Sequence, residues 1–187
     1  MYRYVNYVKE YGRIMQFNKN KDICIHRWYP FVEGYSKEFI EAIVNEQPQK
    51  VESCLEPFSG SGTTALELAI KGISCISFEV NPFMFTLSKA KLKVSQYKKR
   101  TIRSHISKMK KHIVSLNDNE IDLHSGFSTL IEGKEKKKWN IDREVFIAIE
   151  KIKRAINSLS TTLYKEVYIV CLANILLEYS NLYRNGK

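Results

Sequence analysis

The chain has 187 residues, of which 44% are hydrophobic, so it is long enough for one ordinary domain with a buried core. Its 30 lysines and arginines outnumber its 20 aspartates and glutamates, and the resulting net charge of +10 favours a polyanionic partner, with nucleic acid as the leading hypothesis. No apolar run reaches the roughly 20 residues of a membrane span, and the first residues lack the apolar core of a signal peptide, so we expect a cytoplasmic protein without a membrane partner.

The first predicted helix follows an aromatic and polar segment. Ser36 is placed to cap a helix over residues 37–47, whose apolar side chains recur at helical spacing, and Pro48 stops it. Residues 51–55, VESCL, then predict a short strand. A loop of glycines and hydroxyl residues, EPFSGSGTT, follows at 56–64.

The next elements alternate between helix and strand. Residues 63–72 have helical spacing and end at Gly72, and residues 73–80 form a second apolar run. Asn81 begins another helix, with proline at its first position, over residues 82–97. The order strand, helix, strand, helix predicts an α/β fold with a doubly wound parallel sheet.

A basic stretch dominates the charge of the chain. Residues 89–112 contain ten lysines and arginines and no acid. Such a run usually forms a solvated helical face, and contact with DNA phosphates is the alternative. The candidate phosphate ligands are Lys98, Lys99, Arg100 and Arg103.

The remainder predicts a helical C-terminal part. Residues 117–140 break the periodicity, and Asp142 is then placed to cap an amphipathic helix. A last helix over about residues 161–179 is apolar on almost all sides, which predicts burial on more than one side.

The cysteines argue against a metal site. They lie far apart, form no C-x-x-C motif, and have no histidine at metal-ligand spacing, so the sequence predicts neither zinc nor a disulfide framework. We expect reduced and mostly buried thiols at Cys24, Cys54, Cys75 and Cys171.

The glycine loop is the strongest motif of the chain. A phosphate-gripping P-loop needs a lysine after its last glycine, but Thr63 follows Gly62. Gly60, Gly62 and a later alanine satisfy G-x-G-x-x-A, and Glu79 ends the next strand, where it could bind a ribose. The residues alone therefore predict an adenosine-containing cofactor, with a nicotinamide dinucleotide among the possibilities.

Three segments resemble signatures of one enzyme family. The loop EPFSGSGTT resembles the D-P-F-x-G-S-G-T-T signature of S-adenosylmethionine-dependent DNA methyltransferases that act on the exocyclic amino group of adenine or cytosine. FEVNPF, residues 78–83, resembles the family's second signature, an acid after strand two followed by asparagine and proline. HRWYPFVEGYS, residues 26–36, resembles the upstream segment that folds over the methionine end of the cofactor. The resemblance implies an incomplete Rossmann-like methyltransferase fold.

The resemblance also implies roles for individual residues. Phe58 would lie against the methionine moiety of the cofactor, Glu79 would take the ribose hydroxyls, and Asn81 with Pro82 would shape the adenine wall. Glu56 replaces the commoner aspartate, which lengthens the side chain by one methylene and could shift its hydrogen bonds to the loop or to the methionine amine of the cofactor. The other implied cofactor-binding residues are Pro57, Gly60, Gly62 and Thr63 in the loop and, at the methionine carboxylate end, His26, Tyr29 and Ser36. For His26 a packing role is the alternative.

The sequence lacks the motif that the family uses for methyl transfer. The family holds the target amine with Asp, Asn or Ser followed by Pro-Pro and an aromatic residue, after the base has been flipped from the helix. No two prolines of this chain are adjacent, and no Pro-Cys pair exists for attack on the cytosine ring. The catalytic residues therefore stay unassigned.

These observations leave hypotheses of different classes. We expect residues 1–125 to form an S-adenosylmethionine-binding α/β region and residues 126–187 a helical extension. The preferred hypothesis is part of a DNA methyltransferase, inactive alone, whose catalytic motif lies on a second polypeptide or was lost by truncation. Self-association is another way in which the apolar surface of the last predicted helix could be covered. The alternative is a non-catalytic, nucleic-acid-binding regulator or remnant that retains a cofactor pocket. A nicotinamide-dependent enzyme is disfavoured because it leaves Phe58 and the Asn-Pro pair unexplained.

Overall fold

The computed structural model describes residues 6–31, 34–121, 140–176 and 178–181. The chain forms two compact units, Met1–Gln96 and Tyr97–Lys187. The boundary predicted between residues 125 and 126 lies outside the described residues and stays a prediction.

The N-terminal unit begins with short helical segments. Helix α1 covers Val8–Tyr11, and 3-10 helices cover Phe17–Asp22 and His26–Trp28. Helix α2 covers Lys37–Asn45. The Ser36 hydroxyl accepts a hydrogen bond from the N–H of Phe39, the third residue of the helix, at 3.3 Å. The predicted cap is therefore confirmed.

A strand–helix–strand unit forms the centre of this part of the chain. Strand β1 (Ser53–Glu56) and strand β2 (Ser74–Ser77) are parallel, and Ser53 is paired with Ser74 in the register. Helix α3 (Thr63–Ile70) connects the two strands. The predicted strand, loop, helix and strand are confirmed. The sheet has two strands among the described residues, so the observed architecture is mixed α/β and the doubly wound sheet stays a prediction.

A glycine ends helix α3 as predicted. Gly72 has φ of 71°, in the left-handed region. The N–H of Ile73 then donates to the Leu68 carbonyl at 2.8 Å, which satisfies a carbonyl of the last helical turn.

Helix α4 covers Pro82–Leu92 and starts where the sequence predicts. The Asn81 side chain accepts hydrogen bonds from the N–H groups of Phe83 and Met84 at 2.9 and 3.2 Å. The predicted extension to residue 97 is wrong, because a 3-10 helix at Val94–Gln96 follows.

The two faces of the sheet differ. Cys54 is half-buried and lines a cleft of about 360 Å³ together with side chains of α2 and α3. Because side chains alternate along a strand, Leu55 and Ile76 lie on the opposite face, where they are 67% and 63% exposed. Phe78 and Val80 follow the end of β2, continue the alternation of exposed and half-buried side chains, and are 56% and 98% exposed. We call these four side chains the apolar sheet face.

The C-terminal unit is helical within its described residues. Helix α5 covers Lys99–Ser115, α6 covers Arg143–Asn157 and α7 covers Thr162–Leu176. Helix α6 packs against both α5 and α7. Asp142 precedes α6 as predicted, but its carboxylate accepts from the Asn181 amide at 2.8 Å and makes no hydrogen bond to the helix N-terminus.

Two further expectations concern the surface. Cys24 and Cys171 are exposed and the other two cysteines are half-buried, so the expectation of mostly buried thiols is wrong. Among the described helices, none combines the length and apolar character needed to cross a bilayer.

Candidate functional site

The loop between β1 and α3 is tied to the end of β2 by Glu79. Its Oε2 accepts a hydrogen bond from the Gly60 N–H at 2.6 Å, and its Oε1 accepts from the Asn81 N–H at 2.7 Å. The Ser59 N–H donates to the Phe78 carbonyl at 2.9 Å. The structure thus brings the two predicted signatures together at the carboxyl ends of the parallel strands, where α/β sheets bind ligands.

Glu56 organises the start of the same loop. Its Oε1 accepts from the Phe58 N–H at 2.9 Å, and its Oε2 accepts from the Thr64 and Tyr35 hydroxyls at 2.9 and 3.0 Å. The two hydroxyls also contact each other. Burial and the neighbouring Glu56 carboxylate raise the pKa of Tyr35 to about 12, so Tyr35 stays a donor at neutral pH. The Glu56 carboxylate therefore stabilises the loop through hydrogen bonds to Phe58 and Thr64.

The two loop glycines are required for different reasons. Both have positive φ, 51° at Gly60 and 81° at Gly62. A Cβ at Gly60 would lie 3.2 Å from the Phe31 ring. A Cβ at Gly62 would lie 2.4 Å from Ser88 Oγ and 3.0 Å from Ser88 Cα. Gly60 is thus next to the upstream segment, and Gly62 lets the loop approach helix α4.

The other predicted loop residues divide into exposed and buried. Phe58 is 84% exposed, which leaves its ring free to contact a ligand, and Pro57 is also exposed. Thr63 is buried at the start of α3. Asn81 and Pro82 are exposed beside Glu79, although the Asn81 carboxamide oxygen is used in capping α4.

The upstream segment contacts both signatures. The Tyr29 ring lies 4.8 Å from the Phe83 ring in an edge-to-face arrangement, next to the Asn-Pro pair. Phe31 lies beside Gly60, and Tyr35 donates to Glu56. Residues 32–33 lie outside the described residues.

His26 and Ser36 are used within the protein. His26 Nε2 lies 2.7 Å from Glu67 Oε1, and both side chains are buried. Ser36 is buried, donates to the Ile14 carbonyl and caps α2. This geometry favours the packing role of His26, and the predicted contact of either residue with a cofactor stays a prediction.

Sequence reasoning missed Lys91 of helix α4. Its ammonium donates to the Ser61 carbonyl of the glycine loop at 2.9 Å, and its side chain is 0% exposed. Grouping Lys91 with the solvated cations of residues 89–112 was therefore wrong. A signal was present, because Lys91 lies one helical turn from Leu87 and Ser88, both of which are buried. Tyr35, Thr64 and Glu67 were also missed.

The cationic residues of α5 form a separate candidate site. Residues lie about 100° apart around a helix, so Lys99, Arg100, Arg103, Lys110 and Lys111 fall within roughly one third of its circumference. All five are exposed, and none is in an ion pair with a described residue. We call them the cationic face.

The opposite side of α5 packs inside its unit. His105 is buried, and its Nδ1 lies 3.1 Å from the Tyr168 hydroxyl. Burial, with a smaller effect of Lys108, lowers the pKa of His105, which favours its neutral form. The predicted phosphate ligand Lys98 is exposed just before the helix.

The part of the chain that the structure describes contains no group of three or more His, Cys, Asp or Glu residues that could hold a metal ion.

Comparison with known proteins relates the chain to methyltransferases. It is 25% identical to the Type II methyltransferase M.BsoBI of Geobacillus stearothermophilus over 136 residues, 70% of this chain and 26% of the relative. It is 27% identical to M.MvaI of Kocuria varians over 175 residues, 90% of this chain and 37% of the relative. With M.MjaII of Methanocaldococcus jannaschii it shares 24% over 126 residues, 66% of this chain and 23% of the relative.

The chain thus spans well under half the length of these relatives. No family model matches it, and no solved structure matches it. The chain is therefore similar to a part of each of these Type II methyltransferases.

Proposed function

We propose that this chain is the cofactor-binding part of a DNA methyltransferase that transfers a methyl group from S-adenosylmethionine to an exocyclic amino group of adenine or cytosine. The observation that carries the proposal is the hydrogen bond from the Gly60 N–H to Glu79, which joins the two signatures at one edge of the sheet. The Type II methyltransferases among its relatives support methyl transfer as the reaction.

The residues at this edge fit the cofactor's chemistry. A carboxylate offers about four lone-pair sites. The N–H groups of Gly60 and Asn81 occupy two of these sites on Glu79, so the ribose hydroxyls could donate to the other two. Gly60 has no side chain, so its backbone can lie close to the Phe31 ring, which a Cβ at this position would approach to 3.2 Å. Exposed Phe58 would contact the methionine moiety, and exposed Pro82 would border the adenine.

The reaction needs a further part of the protein that holds the target amine. S-adenosylmethionine supplies an electrophilic methyl group on a sulfonium, and the target amine must be aligned with it while polar groups accept the amine hydrogens. The Pro-Pro-aromatic motif that does this in the family is absent from the sequence. We infer that the part of the enzyme that carries this motif lies on a second polypeptide or was lost from this chain by truncation, and that the complete enzyme acts on DNA.

The apolar sheet face supports the inference that a further protein part packs against this unit. Parallel strands are normally buried on both faces, because crossover helices cover them. Here Ile76 and Phe78 are more than half exposed in the described structure, as are Leu55 and Val80. A complementary α/β part would bury these side chains.

The chain alone is expected to bind the cofactor and to transfer no methyl group. Calorimetric titration should detect S-adenosylmethionine and its demethylated product but no nicotinamide dinucleotide. Transfer of a labelled methyl group to DNA should appear only after co-expression with a polypeptide that carries the Pro-Pro-aromatic motif. Robust transfer by the pure chain would contradict the split site. Cofactor and DNA binding without transfer by the pair would favour the non-catalytic regulator.

A surface variant tests the inferred interface in the same assay. Ile76→Glu with Phe78→Glu should prevent association with the complement, because charges would enter a buried apolar surface. The matched control is Val8→Glu with Met15→Glu, which alters two exposed apolar residues outside the strands and should leave association intact.

We further propose that the cationic face of α5 contacts DNA phosphates. The cationic face is exposed, contains no acid and lies opposite the packed side that carries His105. Lysines and arginines that neutralise phosphates release counterions, so such binding weakens steeply as salt rises.

Replacing Lys99, Arg100 and Arg103 together by glutamine should weaken DNA binding and flatten its salt dependence. The slope of log affinity against log salt should become shallower by about three, one unit for each lost phosphate contact. Fluorescence anisotropy at several salt concentrations measures both quantities. The control, Lys9→Gln with Lys21→Gln and Lys50→Gln, removes the same charge from exposed positions elsewhere. If both triple variants lost affinity equally, the cationic face would be an ordinary solvated surface.

A further inference from the structure

Lys91 is a buried cation placed under the glycine loop. It is 0% exposed and is the bulkiest of the fully buried side chains in the described structure. Its Nζ lies 2.9 Å from the Ser61 carbonyl oxygen. Among the described residues no carboxylate pairs with it, and the buried acid on the adjacent helix α3, Glu67, is paired with His26. A buried ammonium without a counter-ion is unfavourable to folding.

The partner of Lys91 is a peptide group at the centre of the loop. The Ser61 carbonyl accepts from Lys91, while the N–H of the same peptide, on Gly62, donates to the Ser59 carbonyl at 2.9 Å. Both ends of this peptide plane are therefore fixed. The glycines on either side of Ser61 have positive φ, a conformation that glycine leaves easily, so the plane would rotate more freely without these bonds.

Two side chains from different elements thus hold the loop by hydrogen bonds. Glu79 accepts from the Gly60 N–H at the end of β2, and Lys91 donates to the Ser61 carbonyl from α4. One helical turn before Lys91, Ser88 packs against Gly62. Helix α4 therefore supports the second half of the loop by one hydrogen bond and one close contact.

We propose that Lys91 is a positioning residue that fixes the glycine loop in the conformation that binds the cofactor, at the expense of folding stability. The inference rests on the proposed cofactor site. Burial lowers the pKa of Lys91 to about 8, which reflects the same unfavourable desolvation of its charge. Because the folded-state pKa lies below the usual value of 10.5, the charge opposes folding below about pH 8, and this effect fades as the pH rises further.

Lys91→Met separates positioning from stability. Methionine keeps a long, unbranched side chain in the buried site but removes the charge and the donor. We expect a melting temperature at neutral pH no lower than that of the unchanged chain, together with roughly tenfold or more weaker binding of S-adenosylmethionine. In the ligand-free protein, the amide NMR signals of Gly60, Ser61 and Gly62 should shift and broaden. Lys71→Met, which removes an exposed cation just after helix α3, should change none of these quantities.

Three results would overturn the proposal. A lower melting temperature that parallels the loss of affinity would make Lys91 an ordinary structural residue. Unchanged loop signals, or unchanged cofactor affinity, would show that Lys91 does not position the loop. If the unchanged chain bound no S-adenosylmethionine, the proposed function would fail, while the ligand-free loop signals would still decide whether Lys91 fixes the loop.

Discussion

Replacing Gly62 by alanine is expected to destabilise the N-terminal unit by about 2–5 kcal/mol. Holding a non-glycine residue at φ of 81° costs about 1–2 kcal/mol. The new Cβ would also lie 2.4 Å from Ser88 Oγ and 3.0 Å from its Cα, and overpacking of this kind typically costs about 1–3 kcal/mol. Part of the clash involves helix backbone, which cannot turn away as a side chain does. Urea unfolding monitored by circular dichroism measures the effect.

Gly72 provides the matched control for this substitution. It has φ of 71°, but no atom lies within 4 Å of the position that a Cβ would take. Gly72→Ala should therefore show only the backbone cost of about 1–2 kcal/mol. Adding Ser88→Gly to Gly62→Ala should recover part of the loss, because it removes the two nearest clashing atoms. Equal destabilisation at the two glycines would show that packing on α4 does not restrict Gly62.

Glu79→Ala is expected to weaken the binding of S-adenosylmethionine by roughly 10- to 150-fold. Hydrogen bonds to a charged group contribute about 1.5–3 kcal/mol, which corresponds to this range. The substitution removes the proposed acceptor for the ribose hydroxyls and also releases the Gly60 N–H from its partner. Calorimetric titration of the folded variant measures the change.

A control carboxylate lies just before β1. Glu52 is exposed, so Glu52→Ala removes the same charge without touching the loop, and it should leave cofactor affinity unchanged. Cofactor affinity in Glu79→Ala equal to that of the unchanged chain would mean that the pocket has been assigned to the wrong residues.

The elements that could be predicted are those with local signals. The Ser36 cap, the end of α3 at Gly72 and the start of α4 at Asn81 each depend on a few neighbouring residues, and the structure confirms all three. The signatures at Gly60 and Glu79 also meet as expected, because the carboxyl ends of adjacent parallel strands lie at one edge.

The features that could not be predicted depend on tertiary packing. His26 and Glu67 are 41 residues apart, and Lys91 and Ser61 are 30 apart, so no local pattern pairs them. Lys91 looked like one more exposed cation because charge alone does not tell which face of a helix is buried. Asp142 has the residue type of a cap, but Asn181 competes for its carboxylate.

The hydrogen bonds of Glu79 have a consequence for the entropy of ligand capture. A free glutamate side chain loses up to about 1.5–2 kcal/mol of rotamer freedom when it is immobilised. Here the Gly60 and Asn81 N–H groups already hold the carboxylate, so this freedom is lost when the chain folds and not when a ligand arrives. A ligand that contacts Glu79 therefore meets a preorganised acceptor, and more of its interaction energy is available as affinity.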